Sequence, residues 1–182
     1  MLENKRSVSM LSKSPDCPLT CKQLYVYSYM AYQSQFDKPK SYVGIARYLC
    51  LSRDGVADIA SALDAHGLTE GKTALDPCPR PDWFLRSPKL AKRFAGEHWT
   101  KAIVNWKAYV RAPGSALKFA ESILLSLLWS HHQAGYAPPR GYTDAYLSTV
   151  TGLAPSMVGP SMAGLGDKGF LVRTTEAITL YQ

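Results

Sequence analysis

A few groups of residues have types and spacings that invite chemistry. Cys17, Cys21 and Cys78, with His66 or His98, could offer thiolate and imidazole ligands to zinc, but the close pairs that a structural zinc site uses on both sides are missing. Gly164, Gly166 and Gly169 satisfy G-x-G-x-x-G, yet a dinucleotide site needs those glycines after a strand and at the opening of a helix. Here they close a helical stretch and precede a strand. The run from Gly67 to Thr73, GLTEGKT, is one residue short of a phosphate-cradling loop, and ALDPCPRP follows where a helix would have to begin. A turn at Glu70-Gly71 between strands accounts for it. His131-His132 falls near a helix end, where a favourable dipole contact or a carbonyl hydrogen bond suffices. With no carboxylate pair, H-E-x-x-H or nucleophile elbow, these residues predict no catalysis, no metal and no cofactor.

Charge is the stronger signal. The 182 residues carry 21 Lys and Arg against 14 Asp and Glu, a net charge of +7, which suits a polyanionic partner. From Pro79 to Lys118 there are nine basic residues and only two acidic ones, Asp82 and Glu97, so the rest of the chain is balanced. Trp83, Trp99 and Trp106 interleave with these cations and could stack on single-stranded bases; the plainer expectation is that they cement neighbouring domains. Along Lys101 to Arg111, Ala102, Val104, Trp106, Ala108 and Val110 alternate with Lys101, Asn105, Lys107, Tyr109 and Arg111. Trp99, Ile103, Trp106 and Val110 also fall at helical spacing, but the Val and Tyr content and the Pro113-Gly114 stop favour a strand.

The elements that must position these residues show a repeat. Shifting the chain by 102 residues lays Ile45 on Leu147, Leu51 on Leu153, Val56 on Val158, Leu63 on Leu165, Gly67 on Gly169 and Leu68 on Phe170. An apolar helical run precedes each copy, Leu19 to Gln35 and Ala116 to Gln133, followed by a Pro-containing loop. Each half therefore reads as three helices: the apolar run, a short helix (Tyr42 to Leu49 in the first half), and a third helix capped by Ser52 or beginning at Ala154. Val56, Ile59, Ala60 and Leu63 recur at helical spacing and should face the other two helices. Gly67 belongs in a left-handed C-terminal cap, and a strand follows it. In the second half Gly159 and Pro160 predict a third helix that is short and bent or that starts near Pro160. No run reaches the roughly 18 to 20 apolar residues of a membrane span, and the N-terminus lacks the apolar core of a secretory signal. Four cysteines are too few and too irregular for a disulfide framework, so reduced thiols and a cytoplasmic location are expected, with no membrane partner.

The stretches Ile45 to Leu68 and Leu147 to Val172, each an apolar residue, a short turn, a cap and then a helix closing in glycine, resemble the winged-helix family. The tandem arrangement is similar to plasmid replication initiators and to plasmid or conjugation regulators. The resemblance implies a mainly α fold with small β wings (α+β), as two tandem winged-helix domains in one chain. Its parts would be a flexible N-terminal arm over 1–18, a first winged-helix domain over 19–78, a basic Trp-rich connector and strand extension over 79–115, and a second winged-helix domain over 116–182. It implies binding to double-stranded DNA, the third helix entering the major groove and the second crossing the backbone. Base-edge contacts would then fall to Ser52, Arg53, Asp54, Ala57 and Asp58 in the first half and to Ser156, Gly159 and Ser161 in the second. Arg53 alone could make the bidentate guanine contact. Phosphate contacts would fall to Lys38, Lys40, Ser41, Tyr42, Arg47, Lys72 and Thr73, to Lys101, Lys107 and Arg111 of the connector, and to Arg140, Thr143, Arg173, Thr174 and Thr175. The uncharged third helix of the second half also suits self-association or a protein partner. The implied role is a transcriptional regulator or accessory factor at a plasmid or mobile-element control site. The alternatives are a compact replication initiator, or a protein-interaction module without sequence-specific DNA binding.

Overall fold

The computed structural model describes residues 7–13, 17–34, 41–71, 83–85, 95–103, 116–173 and 178–180. Within them the chain runs β1 (Ser7–Lys13), α1 (Cys21–Gln33), α2 (Tyr42–Leu49), α3 (Arg53–Ala65), β2 (Thr69–Gly71), β3 (Trp83–Leu85), β4 (Ala95–Ile103), α4 (Phe119–Gln133), α5 (Asp144–Thr151), α6 (Pro155–Asp167), β5 (Leu171–Arg173) and β6 (Ile178–Leu180). It is mainly helical, and the strands pair antiparallel as β1 with β4, β2 with β3 and β5 with β6. No helix among the described residues is long and apolar enough to cross a membrane.

The 102-residue repeat is visible in the element boundaries. Adding 102 to the ends of α2 and α3 gives the ends of α5 and α6. The caps repeat as well. Gly67 (φ 69°) and Gly169 (φ 69°) are left-handed, their N–H groups bond to Asp64 and Gly166, and the next residues, Leu68 and Phe170, reach back to the carbonyls of Leu63 and Leu165. That pair of bonds closes both helices and folds a buried apolar side chain under each.

Two features depart from the sequence-based expectation. Residues 1–18 were expected as a flexible arm, but Ser7–Lys13 is a strand paired with Ala95–Ile103, and Met10, Cys17 and Leu19 are buried. The physical reason lies in α1 and α4. All residues from Leu24 to Met30 and from Ala120 to Leu128 are buried, so neither helix has a face to give to solvent. The other two helices of each half cover one side; β1 lies on α1 and β4 on α4, covering the other. The second departure is α6, which runs unbroken from Pro155 to Asp167 through Pro160. Pro155 occupies the first turn, where it is favourable, and Pro160 is exposed while Val158, Met162 and Leu165 on the other face are buried, so core packing holds the helix through it. The first hairpin also closes beyond Cys78, since the partner of β2 is Trp83–Leu85. Of the segment Lys101 to Arg111, the first three residues belong to β4, in line with the strand; residues 104–111 lie outside the described residues.

Serines inside the buried helices satisfy themselves along the backbone. Ser28 donates to the Leu24 carbonyl (2.7 Å), Ser122 to Phe119 (2.7 Å), Ser126 to Ser122 (2.6 Å) and Ser130 to Ser126 (2.8 Å). One buried charge is different. Glu121 is 2% exposed, accepts from the Lys118 backbone N–H (2.6 Å) and pairs with the Lys168 ammonium, tying the start of α4 to the end of α6. A Cβ at Gly164 would come 2.5 Å from the Glu121 Oε1, so glycine is what lets α6 pass the carboxylate. This accounts for the first glycine of the G-x-G-x-x-G run without any nucleotide, and the left-handed cap accounts for the last. Burial pushes the phenols of Tyr25 and Tyr27 above the usual tyrosine range.

Two outcomes are expected. Gly166 has ordinary space for a methyl group, so Gly166→Ala should stabilise by up to about 1 kcal/mol, whereas Gly164→Ala should cost about 1 to 3 kcal/mol. Urea midpoints read both, and adding Glu121→Ala should make the Gly164→Ala loss smaller than it is alone. Stability should also fall at alkaline pH. The unfolded phenols release protons near pH 10 while the folded ones of Tyr25 and Tyr27 hold theirs, so above that pH the folded state binds more protons and each such tyrosine costs up to about 1.4 kcal/mol per pH unit. Urea midpoints between about pH 8 and pH 11 would show a plateau followed by this decline.

Candidate nucleic-acid interface

Each half presents a short helix, a tight turn and a second helix. The turn is made by one left-handed residue, Cys50 (φ 58°) in the first half and Gly152 (φ 71°) in the second. Cys50 is the only non-glycine residue with positive φ among the described residues. In the first half the N–H groups of Cys50 and Leu51 both donate to the Ala46 carbonyl, and in the second Gly152 donates to Ser148. The second turn is tied further by the Ser148 hydroxyl, which donates to the Leu153 carbonyl (2.8 Å), and by Thr151, whose hydroxyl oxygen accepts from the Leu153 N–H (3.2 Å).

The two long helices that follow begin differently. Ser52 caps α3 by accepting from the Gly55 N–H (3.1 Å), and a Cβ on residue 55 would sit 2.8 Å from that hydroxyl, which explains glycine there. Ala154 offers α6 no side-chain cap. The outward face of α3 carries Arg53, Asp54 and Asp58, all exposed, with Ala57 half-buried beside them. The outward face of α6 is uncharged over its first three turns and consists of Ser156, Met157, Pro160 and Ala163. Gly159 was expected on that outer face. It turns inward instead: a Cβ there would lie 3.1 Å from the Asp144 Oδ2, so it is the close approach of α6 to the start of α5 that calls for glycine. Ser161 is likewise half-buried.

The expected phosphate contacts divide four ways. Arg47 and Arg140 are exposed, and Tyr42 is half-buried against the core. Ser41 and Thr143 are helix caps, their hydroxyl oxygens accepting from the N–H groups of Gly44 (3.4 Å) and Tyr146 (3.1 Å), and they stand at the same place in the two halves. Lys101 lies on β4 opposite Ser9, and Arg173 on β5 opposite Ile178. Lys38, Lys40, Lys72, Thr73, Lys107, Arg111, Thr174 and Thr175 lie outside the described residues.

Two features go beyond the sequence reading, which gave His131-His132 only a helix-end contact. His131 is buried, with its ring 4.7 Å from that of Tyr136 and 5.8 Å from that of Tyr142, so it pins the loop between α4 and α5. Its counterpart at the 102-residue spacing, Tyr29, stacks at 5.3 Å on Tyr48 of α2. The signal was present in the matching positions of the two aromatic rings. The other feature is a cleft between the start of α1 and the turn into α6, which three distant segments build and no local pattern announces. The chain matches no protein-family model, no curated protein and no solved structure.

Ser52→Ala should cost about 1 kcal/mol by removing the cap of α3, and Ala154→Ser should add a similar amount by supplying the one that α6 lacks. Thermal midpoints of the two variants should therefore move in opposite directions.

Proposed function

We propose that the chain is a double-stranded DNA-binding protein built from two tandem winged-helix units, acting by binding rather than catalysis. Its suggested role is that of a cytoplasmic regulator or accessory factor at a plasmid or mobile-element control site. The observation that carries this reading is the duplicated helix–turn–helix–hairpin unit with Arg53 exposed at the first turn of α3. In such a unit the start of the second helix meets base edges, and a guanidinium there can take both acceptors of guanine. The exposed Arg47 and Arg140 and the capped helix starts at Ser41 and Thr143 suit backbone contacts. Asp54 and Asp58 would oppose phosphate, so affinity would come chiefly from the basic stretch between the halves. The uncharged outward face of α6 favours a second role for that half, in self-association or in holding a protein partner.

Fluorescence polarisation with mixed duplexes across a salt series tests the reading. Affinity should fall steeply between about 50 and 200 mM salt as counterions are released; no binding at the low end would overturn it. Arg53→Ala should cost about 1 to 3 kcal/mol and relax preference at one base pair. Replacing Lys101, Lys107 and Arg111 together by alanine should lower the salt slope by about 2 to 3.

A further inference from the structure

The cleft between the halves has a volume of about 720 Å³, within the range of small-molecule sites. One part of its lining is apolar, made by Phe119 at the start of α4, Leu153 in the turn before α6, and Met157, which is 44% exposed. The rest of the lining includes the polar residues Thr20, Lys22 and Thr149. Lys22 Nζ sits 5.7 Å from the centre of the Phe119 ring, and among the described residues no carboxylate pairs with it. Among the described residues that line the cleft none is acidic, and Lys22 is basic. The polar wall is held in place by its own bonds: Thr20 accepts from the Gln23 N–H, and Thr149 donates to the Ala145 carbonyl at 2.9 Å.

We propose that this cleft binds a small organic anion, a carboxylate on a flat apolar body, with the carboxylate on Lys22 and the body between Phe119, Leu153 and Met157. The lining selects for both parts. A bare inorganic anion would leave the apolar wall wet, and a neutral hydrocarbon would gain nothing from the Lys22 ammonium. The bound anion would touch α1 of one half and the turn that starts α6 of the other. It would thus act as an effector that holds the two units in one relation, a role distinct from DNA reading.

Titrating 1-naphthoate into the full chain, followed by calorimetry in the absence of DNA, tests the site. The expected result is saturable one-to-one binding with a dissociation constant on the order of 1 mM or tighter, the scale for a ligand of that size. The neutral isostere 1-naphthamide should bind about tenfold more weakly. Lys22→Gln should weaken naphthoate about tenfold and leave the amide unchanged, and Thr149→Glu, which sets an acid at the cleft, should weaken it at least as much. Both positions are exposed, so the variants should keep the far-ultraviolet circular dichroism of the parent. Equal affinity for the acid and the amide would overturn the anion site, and no saturation would overturn the cleft. Inorganic phosphate competing as well as naphthoate would overturn the organic ligand and mark a phosphate contact instead. Because no DNA is present, none of these failures bears on the DNA-binding reading.

Discussion

A helix stretch buried on every side cannot stand at a surface, and this chain has two of them. α1 and α4 each bury an unbroken run of residues, yet the other two helices of a half cover only one side of that run. The β1–β4 pairing answers that constraint. It places one strand on α1 and the other on α4 and joins them by a ladder from Ser7–Ile103 to Lys13–Ala95. Buried residues of both halves consequently belong to one core, and Tyr25 of α1 meets Phe119 of α4 edge to face at 5.4 Å. The N-terminal strand, which lies outside the repeat, makes this shared core possible.

Within the halves, the same backbone is kept by different chemistry. The turn is left-handed in both, by glycine in one and by cysteine in the other. The helix after it is started by a serine cap in one and by a proline in the first turn in the other. At the 102-residue spacing, Glu121, Gly164 and Lys168 correspond to Leu19, Ala62 and His66. The second half has therefore put a buried ion pair where the first has a buried leucine, and it needs a glycine to make room for it. An ion pair of this kind fixes geometry more than it adds stability, since two desolvated charges recover little beyond their own cost. Here it sets how α6 lies on α4, and so which of its residues face out.

Much of the fold was legible in the residues. The repeat, the ends of α2, the capping serine of α3, the start of α6 and both glycine caps follow from local patterns, because caps and turns are decided within a few residues. What misled was equally local. Pro160 looked like a helix breaker, yet α6 runs through it: its cost is local to one turn, whereas Val158, Met162 and Leu165 of the same helix are buried in the core. Gly159 looked like an outward small residue, and the close contacts at Gly159 and Gly164 could not be read because the atoms they make room for, on Asp144 and Glu121, lie far away in the sequence. Of the candidate interface, the exposure of Arg53, Asp54 and Asp58 was legible from helical spacing, as was the absence of charge on the first turns of α6.

By itself the sequence determined the helical units, their duplication and the placing of its excess charge between Pro79 and Lys118, since periodicity, capping and composition are properties of neighbouring residues. Only the tertiary structure decided that residues 7–13 complete the core, that Glu121 is buried on Lys168, that His131 pins a loop, and that Lys22, Phe119 and Met157 share one cleft. These depend on contacts between segments far apart in the chain, where no local pattern specifies the partner and burial, exclusion of water and charge pairing make the choice.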